Sequence, residues 1–476
     1  MNLNLHLYWC SIQEKMALSI RYLTLQPFET STDEGRSRER YRRVALTAAG
    51  SVVSKGVTIL TGLISVPLTV HYLGVERYGL WMTISSSVAL LSFADLGLGN
   101  GLLNAISKAD GEDSKEAAAV AISSAFFMLL GVSVSLLACF LLISPYVIWG
   151  RIFNVTSDLA VRESGPAVAI LVLTFLVNMP LGIIQRIQMG YQEGYITQLW
   201  LSVGSILGLI GVLLAIYLKA GLPWLVFAIS VGPLASTCIN GVQLFSCRTH
   251  LLPKWSSFNL SDSKKLIAVG VVFFLLQLFA FIGNSADNIV IAQVLGASAV
   301  ASYAVTKKLF VAVQVGQFII RPLWPAFGEA MARKDYGWAR ATLKKTLKYS
   351  LLVGGAVSLP LAIFGKQIIR LWVGESVVPS YALLVACFFW VFLVNYGGAM
   401  SVFLNSGSLV KKQCVFFGVA AVASIVLQIL FANVFGVAGV VFAMLFAYGA
   451  FYVIPAHNLA FGSLTKLING GRVSVK

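Results

Sequence analysis

"HYLGVERYGLWMTISSSVALLSFADLGLGNG" occupies His71 to Gly101. It opens with a tight charged turn and then stays apolar for some fifteen residues. Asp95 follows, and then Gly97, Gly99 and Gly101. The run reads as an apolar helix. A carboxylate and a glycine ladder at the far end of such a helix need a reason.

The rest of the chain agrees with the first impression. Of 476 residues, 58% are hydrophobic and 11% charged, and mean hydropathy is +0.83. Soluble domains are typically about 45–50% apolar and about 25% charged, so this is a polytopic membrane protein. The net charge of +16 would suggest nucleic acid in a soluble domain. Here the basic residues sit mostly between apolar runs, so they set membrane orientation and no nucleic-acid partner is expected.

A membrane helix needs about 20 mostly apolar residues. Twelve such runs lie near 44–70, 78–106, 117–144, 166–189, 196–218, 222–246, 266–294, 298–327, 346–368, 379–405, 412–434 and 436–461. With no water to satisfy the backbone in hydrocarbon, each must be helical. Taking both termini as cytoplasmic puts 22 basic residues in inside segments and 6 in outside ones. That bias supports an even helix count in the cytoplasmic membrane. Residues 1–43 end in "DEGRSRERYRR" and lack a signal-peptide pattern, so they read as a mostly disordered cytoplasmic tail, with Met16 a candidate start.

The long connection at 247–265 divides the runs six and six. The expected organisation is an N-lobe over 44–246, a linker over 247–265, a C-lobe over 266–463 and a tail over 464–476. "HYLGVERYGLW" follows the first run and "QVLGASAVASYAV" the seventh. Both carry Leu-Gly (Leu73-Gly74, Leu295-Gly296) and then a tyrosine (Tyr78, Tyr303). Short matches at equivalent places suggest a duplicated lobe.

A charge at the bilayer centre costs about 2.5–3.5 kcal/mol on insertion scales, so charges inside apolar runs are informative. In the eighth run, Tyr303, Lys307, Gln314, Gln317 and Arg321 fall within about 80° of arc on a continuous helix, while Lys308 points elsewhere. Gln277, Asn284, Asp287 and Asn288 share a face of the seventh run. Thr47, Ser51, Lys55 and Thr58 share one in the first, and Tyr78, Trp81, Ser85, Ser92 and Asp95 one in the second. Matching stripes in two halves predict a central cavity between two lobes, with Lys55, Lys307 and Arg321 set against Asp95 and Asp287. The plainer reading is structural ion pairs or side chains snorkelling to an interface.

Other signals carry less. The six cysteines and four histidines are scattered, so no disulfide framework, metal site or cofactor is expected. Gly97, Gly99 and Gly101 do not form a dinucleotide fingerprint, since no strand precedes them. Asp110-Gly111-Glu112 reads as a solvated turn. Gly204, Gly208 and Gly211 read as helix packing.

"YLGVERYGLWMTISSSVALLSFADLGLGNGLLNAIS" resembles the second-helix signature of bacterial polysaccharide flippases, the O-antigen and capsule-type exporters of the multidrug/oligosaccharidyl-lipid/polysaccharide superfamily. Tyr72 to Gly99 match that pattern, and "ADNIVIAQVLGASAVASYAVTKKL", Ala286 to Leu309, resembles the start of the family's second half. The resemblance implies an all-α fold of about 12 transmembrane helices in two six-helix lobes, working by alternating access. It implies a lipid-linked oligosaccharide substrate on an undecaprenyl pyrophosphate carrier, coupling to a proton or sodium ion, and function as a monomer within membrane lipids. Lys55, Lys307 and Arg321 then become substrate-binding cations. Gln277, Asn284, Asn288, Tyr303, Gln314 and Gln317 become cavity polar groups. Asp287 and Asp95 become ion-coupling candidates, and Gly97, Gly99 and Gly101 hinge candidates. The alternatives are a cation-coupled drug antiporter, which would want a net acidic cavity, and a membrane glycosyltransferase or polymerase. The latter would need carboxylates on a substantial outside loop, and the longest, near 145–165, offers only Asp158 and Glu163.

Overall fold

The computed structural model describes residues 21–473, leaving out 154, 156, 312–315, 373, 374, 376, 377 and 408. It also leaves out the side chains of 75, 86–92, 262, 282–285, 297, 298, 301, 311, 316, 318 and 471–473. Among the described residues the protein is all helix and turn. In order, the helices are α1 (Asp33–Leu73), α2 (Val75–Leu90), α3 (Leu98–Gly111), α4 (Lys115–Ile143), α5 (Asp158–Leu181), α6 (Ile183–Gly190), α7 (Gly194–Tyr217) and α8 (Leu222–Cys247). Then come α9 (Leu260–Leu295), α10 (Ala297–Val311), α11 (Gly316–Ile320), α12 (Leu323–Ala332), α13 (Tyr336–Trp372), α14 (Tyr381–Asn405), α15 (Val410–Tyr448) and α16 (Ile454–Val473).

Nine stretches among the described residues are long and apolar enough to cross a membrane. The protein is a multi-pass integral membrane protein. Two expected runs, near 78–106 and 298–327, fall outside that set because their helices are interrupted. In the first, a 3-10 turn at Leu91–Asp95 separates α2 from α3. Leu96 and Gly97 both take positive φ (49° and 72°) before α3 begins. In the second, Arg321-Pro322 forms a turn before α12, and residues 312–315 lie outside the described residues. Proline disfavours helical geometry in the residue before it. The last two expected runs are joined in one stretch, Val410–Gly470. Gly436 (φ 59°, ψ −146°) breaks α15 where the boundary between them was expected.

The turn at Arg321-Pro322 limits one sequence reading. The stripe of Tyr303, Lys307, Gln314, Gln317 and Arg321 assumed a continuous helix, and its last member, Arg321, sits in that turn, while residues 312–315 lie outside the described residues. The tail reading also needs correcting. Residues 33–43 are the first turns of α1, capped by the Thr32 hydroxyl on Gly35 N–H. Glu39, Arg40 and Arg42 are buried there. The sequence showed only a run of charges; the folded chain pairs them, with Glu39 accepting from Arg42, Arg43 and the Phe28 backbone. Met1–Ile20, including Met16, lie outside the described residues.

The chain divides into two compact units, 1–270 and 271–476, with the boundary inside α9. In unit 1, α1 packs on α7, α7 on α8, α8 on α5, and α3 on α4 and α6. One core joins Leu80, Trp81 and Ile84 of α2 to Val168, Leu176, Leu222 and Val226. A second joins Leu102 and Ile106 of α3 to Ile122, Ile183 and Ile187. Gly204 and Gly208 let α7 meet α8 at close range: a methyl added at Gly232 would strike the Gly208 backbone. In unit 2, α13 packs on α14 and α14 on α15, around Ile291, Tyr303, Phe310, Leu384 and Val440. Gly74 and Gly296, the glycines of the two Leu-Gly matches, both take positive φ (78° and 89°). Each follows a long helix and starts a new one, a conformation that L side chains resist.

Candidate functional site

The signature stretch of unit 1 does two jobs. Its first part ties down one end of the unit. The Tyr72 hydroxyl donates to the Ala220 carbonyl at 2.9 Å. Arg77 makes a two-armed pair with Glu163, 2.7 Å on each arm, and Glu163 also accepts from Leu222 N–H at 3.1 Å. Glu76 accepts from Ser157 N–H at 3.0 Å. Together these fix the starts of α2, α5 and α8 to one another. Two-armed arginine–carboxylate contact adds geometric definition as well as energy.

The far part of the stretch answers the question about Asp95. Its Oδ1 accepts from Gly97 N–H at 2.9 Å, closing the turn that interrupts the helix. Gly97 is the left-handed residue preceding α3. Gly101 lies against the Leu266 carbonyl, so α3 and α9 approach through glycine there. Gly99 faces a residue that the sequence reading passed over. A Cβ at Gly99 would sit 2.9 Å from Arg186 Nε and 3.2 Å from Asp95 Oδ2.

Arg186, on α6, donates from Nη1 to Asn100 Oδ1 at 2.9 Å. It interacts electrostatically with Asp95 without hydrogen bonding to it. The two distances from Gly99 bound their separation at about 6 Å. At an effective dielectric of about 20, opposite charges at that range attract by roughly 3 kcal/mol. The signal that could have found Arg186 was present: it is the one charge between Glu163 and Glu193.

In unit 2, Asp287 is fully enclosed. The Tyr303 hydroxyl donates to its Oδ2, and Lys307 Nζ forms an ion pair with the same oxygen. Asp287, Tyr303 and Lys307 therefore form one cluster on α9 and α10. Beside it, Asn288 Oδ1 is buried with no partner among the described residues. Gln317 on α11 donates to Asn395 Oδ1 of α14 at 3.2 Å, close against Gly398. Arg321 is exposed, as is Lys308.

The remaining sequence candidates are more scattered. Lys55 is exposed on α1, while Thr47 and Ser51 of its stripe are buried, with Thr47 against Gly194 of α7. That stripe is largely a packing face. Gln277 is half-buried on α9. The Asn284 side chain and all of Gln314 lie outside the described residues. Two further polar features were not anticipated. Tyr396 and His457 share a 2.6 Å hydrogen bond on the wall of a largely apolar cavity of about 550 Å³ in unit 2, which Asn458 also lines. In unit 1, Arg43, Asp110, Tyr191, Glu193, Arg248 and His250 line a polar cavity of about 420 Å³. Burial raises the Tyr191 phenol's pKa, with Asp110 and Glu193 adding to the effect and Arg248 opposing it.

A family model described as "Polysaccharide biosynthesis protein" matches residues 48–331. A protein of Yersinia pseudotuberculosis named "Putative O-antigen export protein" is 21% identical over 412 residues, covering 74% of this chain and 90% of that one. A Salmonella typhi protein named "Putative O-antigen transporter" is 26% identical over 302 residues, covering 62% and 68%. Among solved structures, an outward-facing multidrug resistance MATE family transporter of the MOP superfamily superposes with a TM-score of 0.75 at 17% identity, covering 93% of this chain and 100% of that one. A MOP superfamily transporter from Pyrococcus furiosus gives 0.75 at 16%, covering 92% and 99%. At these identities the structures speak to the fold.

Proposed function

The chain belongs to the polysaccharide biosynthesis protein family, and from that premise we propose that it is a flippase for a lipid-linked oligosaccharide. It moves the carrier-linked glycan from the inner to the outer leaflet of the cytoplasmic membrane, by alternating access of two six-helix halves coupled to a proton or sodium ion. The observation that carries the reading is the family match over more than half the chain, and the O-antigen names of both relatives support it.

The chemistry is consistent. A pyrophosphate brings negative charge into a medium where an unpaired charge is costly, and cations on the spans offset that cost. Lys55, Lys307 and Arg321 are the proposed substrate cations, with Gln277, Asn284, Asn288, Tyr303, Gln314 and Gln317 as polar neighbours. Asp287 and Asp95 are the proposed ion-coupling groups, and Gly97, Gly99 and Gly101 the proposed hinge. The Lys307–Asp287 pair gives one of these cations a defined partner to leave when substrate arrives.

The test is a deletion strain. Loss of the protein should leave lipid-linked glycan on the cytoplasmic side and none at the cell surface, with both restored by the gene. Normal surface glycan in the deletion strain would overturn the reading. The MATE fold likeness favours one second reading, drug–cation antiport, which predicts drug sensitivity with surface glycan intact.

A further inference from the structure

We propose that unit 2 holds an anionic phospholipid of the inner leaflet, with an acyl chain in the cavity beside Tyr396 and His457 and the headgroup phosphate on a basic stripe of α13, Arg340, Lys344 and Lys348. This lipid is a resident of the protein rather than the transported solute, so its binding is independent of the flippase reading.

The cavity measures about 550 Å³, within the range that ligand pockets occupy. Leu351 of α13, Phe389 and Phe392 of α14, and Ile454 of α16 are among its walls. Phe389 and Ile454 are exposed, so it opens on the kind of apolar surface that meets a membrane or a partner. Val453, another wall residue, ends the π-helical turn Gly449–Val453. Such turns are frequent at functional sites.

The polar part of the wall lies at one end. Gly354 meets Asn395, Gly355 meets Phe392 and Gly365 meets Leu384, so α13 and α14 run antiparallel. Tyr396 is therefore the wall residue of α14 nearest the start of α13, and its hydrogen bond holds His457 beside it. The basic stripe continues from that end. Arg340, Lys344, Lys348, Leu351 and Gly355 fall within about 80° of arc, and α13 is unbroken across them. Leu351 lines the cavity, and Lys348 stands one turn before it, roughly 4.5 Å along the axis. An apolar chamber, a polar rim and then cations match an anionic phospholipid from tail to headgroup. The inner leaflet is the one that the basic bias of the loops assigns to this end.

Charge supports the same occupant. Cations four residues apart on a helix repel, and no carboxylate of unit 2 offsets these. Residues 271–476 contain Asp287, Glu329, Asp335 and Glu375 and no other acid. Asp287 pairs with Lys307, Glu329 with Arg333 and Glu375 with Arg370, while Asp335 accepts from Trp338 N–H. Arg340 Nε is buried without a partner among the described residues, and Lys344 and Lys348 are exposed. A headgroup phosphate supplies the missing anion. Each basic residue just outside a span strengthens the hold on anionic lipid by about fivefold.

The test measures binding of fluorescent-tailed phosphatidylglycerol and phosphatidylcholine to the full-length protein in detergent. Phosphatidylglycerol should bind about tenfold tighter or more. Lys344→Gln/Lys348→Gln should bring the two lipids to within about twofold, with phosphatidylcholine binding unchanged. Lys411→Gln/Lys412→Gln removes two exposed lysines of the same unit and should keep the preference. Leu351→Trp narrows the cavity and should weaken both lipids about fivefold or more. If it does not fold, Ile454→Trp, at an exposed wall position, replaces it. The proposal falls if wild type binds the two lipids alike, if the two lysine pairs act alike, or if neither cavity variant weakens binding. Farnesyl pyrophosphate at equal concentration should leave phosphatidylglycerol bound. Its displacement of the phospholipid would give the site to the carrier lipid and overturn the proposal.

Discussion

Lys307 and Asp287 are paired although they lie on different helices, Lys307 on α10 and Asp287 on α9, and Tyr303 donates to the same carboxylate oxygen. Asp287 is completely enclosed and Lys307 is 27% exposed at its side chain. The two partners therefore differ in what each leaves behind when the other is removed. Lys307→Ala strands an enclosed carboxylate, a change that costs about 3–5 kcal/mol when a buried pair is broken. Asp287→Asn leaves an ammonium that can reach solvent and should cost less. The double variant Asp287→Asn/Lys307→Gln should recover much of the loss. Thermal unfolding in nanodiscs checks the order, and equal losses from both single changes would show that the pair is not enclosed as described.

Arg321 and Lys308 are both exposed cations, yet only Arg321 sits at an interruption in its segment, in the turn before α12. Arg321→Ala should abolish glycan export with the protein inserted at normal levels. Arg321→Lys should retain part of it, because lysine keeps the charge without the two-armed fork. Lys308→Ala should be well tolerated. Complementation of surface glycan, normalised to membrane protein level, is the measurement. A dead Lys308→Ala beside an active Arg321→Ala would remove Arg321 from substrate binding.

The basic bias of alternate loops gives a topology that can be read directly. Reporter fusions after Lys115 and after Lys345 should report as cytoplasmic, and one near Val155 as periplasmic. A periplasmic signal at Lys345 would sink the twelve-helix arrangement.

Gly232 of α8 lies directly against the Gly208 backbone of α7. Overpacking a well-filled contact costs about 1–3 kcal/mol. Gly232→Val should lower the melting temperature and the amount of inserted protein. Gly462→Val, where a Cβ meets nothing within 4 Å, is the matched control and should do neither.

Helix positions were largely legible in the hydropathy of the chain. The expected run at 117–144 is α4, those at 196–218 and 222–246 are α7 and α8, and that at 379–405 is α14, each within a few residues. Hydropathy shows these because hydrocarbon admits helices and closed barrels alone. The interruptions were only partly legible. Glycines after Asp95 suggested a bend, and α3 does start just after Gly97. In the eighth run, by contrast, an even polar spacing concealed the turn at Arg321-Pro322. Period analysis assumes the helix it is measuring.

By itself the sequence determined that this is a multi-pass membrane protein, where most of its helices lie, and which family's signature it carries. All of these are properties of residues near one another along the chain. Tertiary structure alone decided the partnerships: Arg186 with Asn100 near Asp95, Lys307 with Asp287, and Glu39 with the Phe28 backbone. The first joins residues 86 positions apart. An isolated arginine in an apolar run looks the same in sequence whether it snorkels to an interface or meets a carboxylate. Only packing of α3 against α6, through a glycine that leaves room for the guanidinium, separates the two outcomes.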